Sequence, residues 1–313
     1  MLSRTPAMSR PRLLEGFWPS ARIVGVWPGI KAFGGLSILD RQSDAETLER
    51  MGALEVRFAR NAAEVRDAQR VRYQVFYAEG GARADVATLL VRRDVDAFDA
   101  VCDHLLVIDH EAGGNGSRQA PAVVGTYRLL RQEVAERHGG FYSANEFDIA
   151  ALTSQHPTLR FLELGRSCVL PPYRNKRTLE LLWHGIGAYT AANRPDVMIG
   201  CSSLDGTDPS KQALALSFLH HYASAPENWR ANALAERYVE MNRMPKEAID
   251  QKAALRALPP LIKGYLRLGA YIGDGAVIDE QFGTIDVLIV LPVAKIKARY
   301  FSHFASRDEV RAA

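Results

Sequence analysis

One permanent charge sits where an apolar residue belongs, and it constrains this 313-residue chain more than any other feature. Asn61-Ala62-Ala63-Glu64 reads as a helix start, with Asn61 accepting free backbone N–H groups and Glu64 reaching back to complete a capping box. Val65, Ala68, Val75 and Phe76 then recur at helical spacing. Arg72 lies four residues from both Ala68 and Phe76, on the same stripe. A guanidinium does not shed its proton, so a buried one needs acidic partners or a bound anion. Asp94-Val95-Asp96-Ala97-Phe98-Asp99 supplies the acids. Aspartates this close repel one another unless cations meet them, and Arg72, Arg128 and Arg166 are available for that. A calcium loop is disfavoured, because the run lacks glycine at its sixth position and an acid at its twelfth, Leu105.

The surrounding pattern is α/β. A helix is expected over 62–78, a loop over 79–103, and a hairpin from His104–Asp109 and Val123–Leu130. Leu159–Leu170 reads as a long central strand and Thr178–Asn193 as an amphipathic helix. Val197–Cys201 and Ile285–Leu291 read as strands, and 210–223 and 229–239 as helical. In the long strand, Gly165 permits a bulge that would bring Glu163 and Arg166 to one face. Arg128 shares a strand face with Val124 and Thr126 and needs an acidic partner of its own. Tyr173-Arg174-Asn175-Lys176-Arg177-Thr178 places a basic loop at a helix start, a layout suited to a phosphate group or to an ordinary basic turn. Cys201, in Gly200-Cys201-Ser202-Ser203, reads as a small core-facing residue rather than as a nucleophile paired with His220 or His221.

Bulk properties exclude several classes. A formal net charge of +3 is too small to argue nucleic-acid binding. Cys102, Cys168 and Cys201 match no zinc spacing, which points to reduced thiols and a cytoplasmic protein without a metal. No apolar run reaches the roughly 20 residues of a membrane span. Residues 1–50 form a distinct extension. Before residue 36 five basic residues (Arg4, Arg10, Arg12, Arg22, Lys31) and one acid (Glu15) are interleaved with Phe17, Trp18, Trp27 and Phe33. That mixture suits an anionic membrane surface or a poorly ordered tail. The expected organisation is this extension, one domain over 51–305, and a tail at 306–313.

In this order the hairpin, bulged strand, basic loop and helix resemble the GNAT acyltransferase superfamily. Arg72-Tyr73-Gln74-Val75-Phe76, the Asp94–Asp99 loop, Gly125-Thr126-Tyr127-Arg128-Leu129-Leu130 and Glu163-Leu164-Gly165-Arg166 resemble the acyl-homoserine-lactone synthases. Adding Gly206-Thr207-Asp208-Pro209 and Pro259-Pro260-Leu261-Ile262-Lys263-Gly264-Tyr265 extends the likeness, over about 55–305, to the bacterial L-ornithine N-alpha-acyltransferases. The resemblance implies a central mixed sheet with a bulged, splayed strand flanked by helices. It implies transfer of a 3-hydroxyacyl chain from the phosphopantetheine of acyl carrier protein to L-ornithine, with no tightly bound cofactor. Glu163 would be the base; Arg166 and Arg128 would orient the acidic loop or bind ornithine's carboxylate. Arg72 with Asp96 and Asp99 would fasten the helix over the acyl pocket, beside Phe76. Asp208 would receive the side-chain amine, and Arg174, Lys176, Arg177 and Thr178 the carrier. Tyr222 is a guess for the group that protonates the leaving thiol. An amphiphilic product suggests the inner membrane surface as a further partner, through the N-terminus and 295–301. Two departures stand out. The basic loop has no glycine, unlike loops that hold acetyl-CoA, and no tryptophan lies between Tyr77 and His104, unlike the lactone synthases. Two other readings remain: a GNAT enzyme acylating another amine from CoA or carrier protein, and a GNAT-like module that binds carrier without chemistry.

Overall fold

Apolar strands that alternate with amphipathic helices must stack a sheet between helical layers. The computed structural model, which describes residues 47–112 and 121–296, shows that arrangement. In chain order the elements are β1 (Glu49–Met51), β2 (Leu54–Phe58), α1 (Ala62–Tyr73), α2 (Val86–Val91), β3 (Asp103–Asp109), β4 (Ala122–Arg131) and α3 (Gln132–Ala135). Then come α4 (Ile149–Gln155), β5 (Phe161–Val169), α5 (Lys176–Asn193), β6 (Val197–Asp205) and α6 (Ala213–Ala223). The chain continues through β7 (Tyr238–Val239), α7 (Gln251–Ala257), α8 (Pro260–Leu268), β8 (Tyr271–Ile272), β9 (Ala276–Asp279) and β10 (Thr284–Pro292). The strands form one mixed sheet in the order β1-β2-β3-β4-β5-β6-β10-β9-β7, with β8 paired to β10.

Each sheet face carries its own core. Leu105, Tyr127, Leu129, Leu162, Val287 and Ile289 pack against Leu181, Ile186, Leu216, Phe218, Ile262 and Tyr265 from α5, α6 and α8. On the opposite face, Leu106 and Ile108 meet Ala68 of α1, and Phe161, Ile199 and Val290 meet Ile149 and Leu152 of α4. Val124 belongs to the α5 side, because the β3–β4 register shifts between Val107 and Ile108. It therefore does not share the face of Thr126 and Arg128, as plain alternation would have it.

Local chemistry explains most boundaries. Asn61 Oδ1 accepts from the N–H groups of Ala63 and Glu64 at 2.9 and 3.1 Å, capping α1. Glu64 does not return to Asn61; it accepts from the Arg60 N–H at 2.7 Å and from both Arg57 Nη atoms. The expected loop at 79–103 holds α2 and a short 3-10 turn at Ala97–Ala100, after α1 has continued as a π-helical turn over Gln74–Glu79. The expected helix at 229–239 is instead a loop with short 3-10 turns and β7, because Asn232 and Ala233 make bridges that tie it to the sheet edge. The N-terminal aromatics Trp18 and Trp27 and most of the 295–301 stretch lie outside the described residues, so the membrane-facing roles expected of them do too. Among the described residues no helix is long and apolar enough to cross a membrane.

Candidate active site

α1, the 94–99 loop, β4 and β5 converge on three arginines and three aspartates. Arg72, fully buried, donates from Nε to Asp94 Oδ2 at 2.8 Å and from Nη1 and Nη2 to both oxygens of Asp99 at 2.8 and 2.7 Å. Arg128 Nη1 bridges Asp96 and Asp99 at 2.6 and 3.1 Å. Arg166 Nε meets Asp94 at 2.9 Å and its Nη2 meets Asp96 at 2.9 Å. The acids meet the buried arginine as its position in the helix demanded, with one reassignment: Arg72 takes Asp94 and Asp99, while Asp96 serves Arg128 and Arg166. Burial by itself would raise the carboxyl pKa values of Asp96 and Asp99. The facing arginines outweigh it and hold both below the usual carboxylate range. With its donors directed to Asp94 and Asp99, this residue fastens α1 to the loop and lines neither of the two cavities described below. Phe76 likewise packs into a small core, edge-on to Phe282 at 5.8 Å, and lines neither of those cavities.

The strand bulge exists, but its kink is at Arg166 rather than Gly165. Thr126 pairs with Cys168 and Arg128 with Gly165, so Tyr127 opposes both Arg166 and Ser167. Arg166 adopts a φ of 50°, a left-handed conformation that costs a non-glycine residue about 1–2 kcal/mol. Its two aspartates and the Tyr142 ring, 4.9 Å from the guanidinium, hold it there. Strain of this kind clusters at functional sites. The β5–β6 parallel register runs Phe161↔Val197, Leu162↔Met198, Glu163↔Ile199 and then stops. Beyond it the strands part. A cavity on the α1 side, lined by Phe98, Arg128, Tyr142, Glu163, Arg166 and Cys201, shares Leu164, Gly165, Arg166 and Cys201 with a second on the α8 side. The second reaches Tyr127 and Tyr265, whose hydroxyls hydrogen-bond at 2.8 Å. The two cavities thus back onto the same stretch of β5 and β6 from opposite faces of the sheet.

Gly200 sits at the throat, where a Cβ would lie 2.3 Å from the Leu164 carbonyl oxygen. Backbone cannot move aside there without widening the gap. Gly200→Ala is expected to lower stability by about 1–3 kcal/mol and to reduce catalysis, read from urea unfolding and turnover of the same preparation. Wild-type values for both would mean the strands already tolerate a wider throat.

Glu163 faces the α1-side cavity. Its Oε2 and Oε1 accept from the Tyr142 and Ser143 N–H groups, each at 2.7 Å. Burial pushes its pKa up, and the bonds from Ser143 and Tyr142 and the charge of Arg128 only partly offset that. Burial also drives the Cys201 thiol well above its ordinary value, so it stays a neutral S–H, donating to Glu146 Oε2 at 3.2 Å. It is no thiolate nucleophile. His221 bonds to the Met244 carbonyl oxygen and lines neither cavity.

The peripheral expectations fare differently. Arg174 is committed to Glu79, both Nη atoms donating at 2.6 Å, and to the Val169 carbonyl, so it is no open phosphate ligand. Lys176 and Arg177 are exposed at the start of α5, with Lys176 pairing to Glu180 at 3.3 Å. Thr178 is buried and its N–H donates to the Asn175 cap. Asp208 is exposed and caps its own turn through Ser210, away from both cavities. Tyr222 stacks on Phe218 under Lys246 and also borders neither. Missed altogether was a buried trio, Glu146, Asp279 and Asp286, with carboxylate oxygens within 4.8 Å of one another. Among the described residues it is the one acidic group close enough to hold a metal ion.

Residues 71–184 match the model of the acetyltransferase (GNAT) domain family, a span from the end of α1 to the middle of α5 that includes β5 and stops short of β6. An L-ornithine N(alpha)-acyltransferase of Agrobacterium fabrum is 55% identical over 260 residues, covering 83% of this chain and 88% of that one. One of Rhodobacter capsulatus is 37% identical over 257 residues, covering 82% and 96%. Among solved structures, FeeM, an N-acyl amino acid synthase from uncultured soil microbes, superposes with a TM-score of 0.43 at 11% identity, covering 77% of this chain and 91% of that one.

Proposed function

Because this chain belongs to the L-ornithine N(alpha)-acyltransferase family, we propose that it moves a 3-hydroxyacyl chain from acyl carrier protein to the α-amine of L-ornithine, the first step of ornithine-lipid synthesis. It is an N-acyltransferase with a GNAT domain. The observation that carries the reading is the gap between β5 and β6, with Glu163 on one side of it and cavities on both sheet faces. In this reading the pantetheine arm would enter between the two strands, parting them further, and the acyl chain would lie on the apolar α8 side beside Leu261 and Ile289.

In the proposed reaction the neutral amine attacks the thioester carbonyl carbon. The amine proton passes to Glu163, directly or through water, the C–S bond breaks, and the pantetheine sulfur takes a proton. A carboxylate has about four lone-pair sites. The two N–H bonds to Glu163 use one on each oxygen and leave the others to receive a proton. Burial raises its pKa toward the range where a base works near neutrality. Arg166 gives Nε and Nη2 to aspartates while bordering the cavity, which leaves Nη1 for the amino acid's carboxylate. Arg128 holds the loop from beneath. The amphiphilic product would pass to a membrane surface.

The test is purified protein with 3-hydroxyacyl carrier protein and ornithine. Acyl-ornithine that forms only with the carrier supports the proposal. Product only with acyl-CoA, or only with another amine, defeats it, as does tight carrier binding without thioester turnover. The exposed Lys176 and Arg177 are the expected meeting place for an acidic carrier. Reversing both charges (Lys176→Glu with Arg177→Glu) is expected to raise the KM for acylated carrier about tenfold, more at low salt, and to leave the KM for ornithine near its original value. An unchanged KM for carrier would move the docking face elsewhere.

A further inference from the structure

Three carboxylates meet beside the active-site cavity, and the catalytic scheme uses none of them. Glu146 follows the 3-10 turn Tyr142–Asn145, Asp279 ends β9, and Asp286 lies on β10. They are 1%, 2% and 0% exposed. Polar neighbours satisfy part of the group. Asp279 Oδ1 accepts from the Gln281 and Phe282 N–H groups, and Asp286 Oδ1 accepts from the Thr284 hydroxyl at 3.0 Å. Ser203 hydrogen-bonds Asp286 as well, and Arg237 Nη1 stands 3.7 Å from Glu146 Oε1.

Seven buried side-chain polar atoms among the described residues have no hydrogen-bond partner, and two of them bear on this group. One is Asp286 Oδ2; the other, from a different element, is the Tyr142 hydroxyl. Tyr142 is a wall of the cavity. Its ring lies 4.9 Å from the Arg166 guanidinium, and burial first, then the charges of Glu146, Asp96 and Asp279 against that of Arg166, push its hydroxyl pKa well up. Cys201 lines the same cavity and donates to Glu146, so the acids begin directly behind that wall.

Packed carboxylates away from water resist full ionisation. Burial and the mutual repulsion of the group push Glu146 up to about 7 and Asp286 well above its ordinary value. A ligand that brings positive charge and several N–H donors relieves that cost. An alkylammonium does so with three donors. A divalent ion would add a second positive charge beside Arg237, and the cavity wall of phenol ring and thiol suits methylenes better than a hydrated cation.

We propose that Glu146, Asp279 and Asp286 form the subsite that receives the side-chain ammonium of the acceptor amino acid, with the Tyr142 hydroxyl beside it. The inference rests on the reading of ornithine as acceptor. It assigns the amino acid a direction: carboxylate at Arg166, methylenes along Tyr142, side-chain ammonium at the acids. Selection for a diamino acid then follows from these three acids, not from Asp208.

The experiment compares L-ornithine with L-norvaline, which keeps the carbon chain and lacks the side-chain amine, in wild type, Asp286→Asn and Glu146→Gln. Two readouts are taken on each protein: the thermal shift with each amino acid, and kcat/KM for acyl transfer. Wild type is expected to prefer ornithine by at least about 100-fold, because a buried polar site left unpaired rejects the analogue lacking its partner. In either variant that ratio should fall to within about tenfold of unity. The inference fails if wild type shows no preference, or if the variants lose both substrates equally and keep the ratio. It also fails if micromolar Mg²⁺, Ca²⁺ or Mn²⁺ added to EDTA-treated protein stabilises wild type but not Asp286→Asn. The two readouts separate this subsite from the proposed reaction. An ornithine-dependent shift that is absent with norvaline and lost in Asp286→Asn upholds the subsite, even where acyl transfer to ornithine is absent and the acceptor reading falls.

Discussion

Arg72→Ala is expected to cost about 3–5 kcal/mol of folding stability, the largest structural effect of any single truncation here. Asp94 and Asp99 would lose three of the bonds that neutralise them, in a place where water does not reach. The penalty is the stranded charge rather than the worth of the pair. Whole-domain stabilities run to about 5–15 kcal/mol, so the variant would unfold at much lower urea. Arg70→Ala is the matched control. Arg70 is two residues away on the same helix and pairs with Asp67 in solvent, so its loss should move stability by less than about 0.5 kcal/mol. Equal urea midpoints for the two variants would remove the case for the network. The pH dependence follows from the same charges. The folded-state pKa values of Asp96 and Asp99 lie below their unfolded values of about 3.9. Their contribution is complete above that pH and is lost as pH falls through the folded values. Acid unfolding of wild type should therefore be steeper than that of Arg72→Ala.

How much of this was legible in the sequence depended on distance along the chain. Arg72 announced a need for acids through a break in helical periodicity, which is local. Which aspartate it would take was not legible, because Asp94, Asp96 and Asp99 are chemically equivalent and only the bulge at Arg166 decides who faces whom. The bulge itself was signalled by a glycine, yet the left-handed residue is its neighbour, held there by tertiary bonds that outweigh local preference. Arg174 looked free because Glu79, its partner, belongs to the far end of another helix. The acid trio left no signal at all. Glu146 lies in a turn and Asp279 and Asp286 on two edge-ward strands, and each alone resembles an ordinary polar residue. Local rules placed the hairpin, β5 and α5; the site is made of pairs those rules do not reach.

Glu163→Gln is expected to lower kcat by about 10²–10⁴-fold, the range for removing a positioned general base, while acylated carrier binds nearly as before. The substitution also turns one acceptor into an amide NH₂ facing the Tyr142 or Ser143 N–H, an unpaired contact that costs about 1–3 kcal/mol. A loss of activity alone would therefore not separate a base from a capping residue; the pH profile does. In wild type, kcat should rise as pH climbs through the Glu163 pKa, which burial sets above 4.5, since the protonated acid cannot accept a proton. The amine substrate adds its own rising limb near about 8, where it becomes neutral. Glu163→Gln should keep the upper limb and lose the lower one. A residue that only caps the 142–145 turn would shift the unfolding midpoint and leave both limbs in place. Wild-type turnover in the variant would rule out Glu163 as the base and turn attention to a water held by Arg166 and Tyr142, the other polar groups on the same cavity wall.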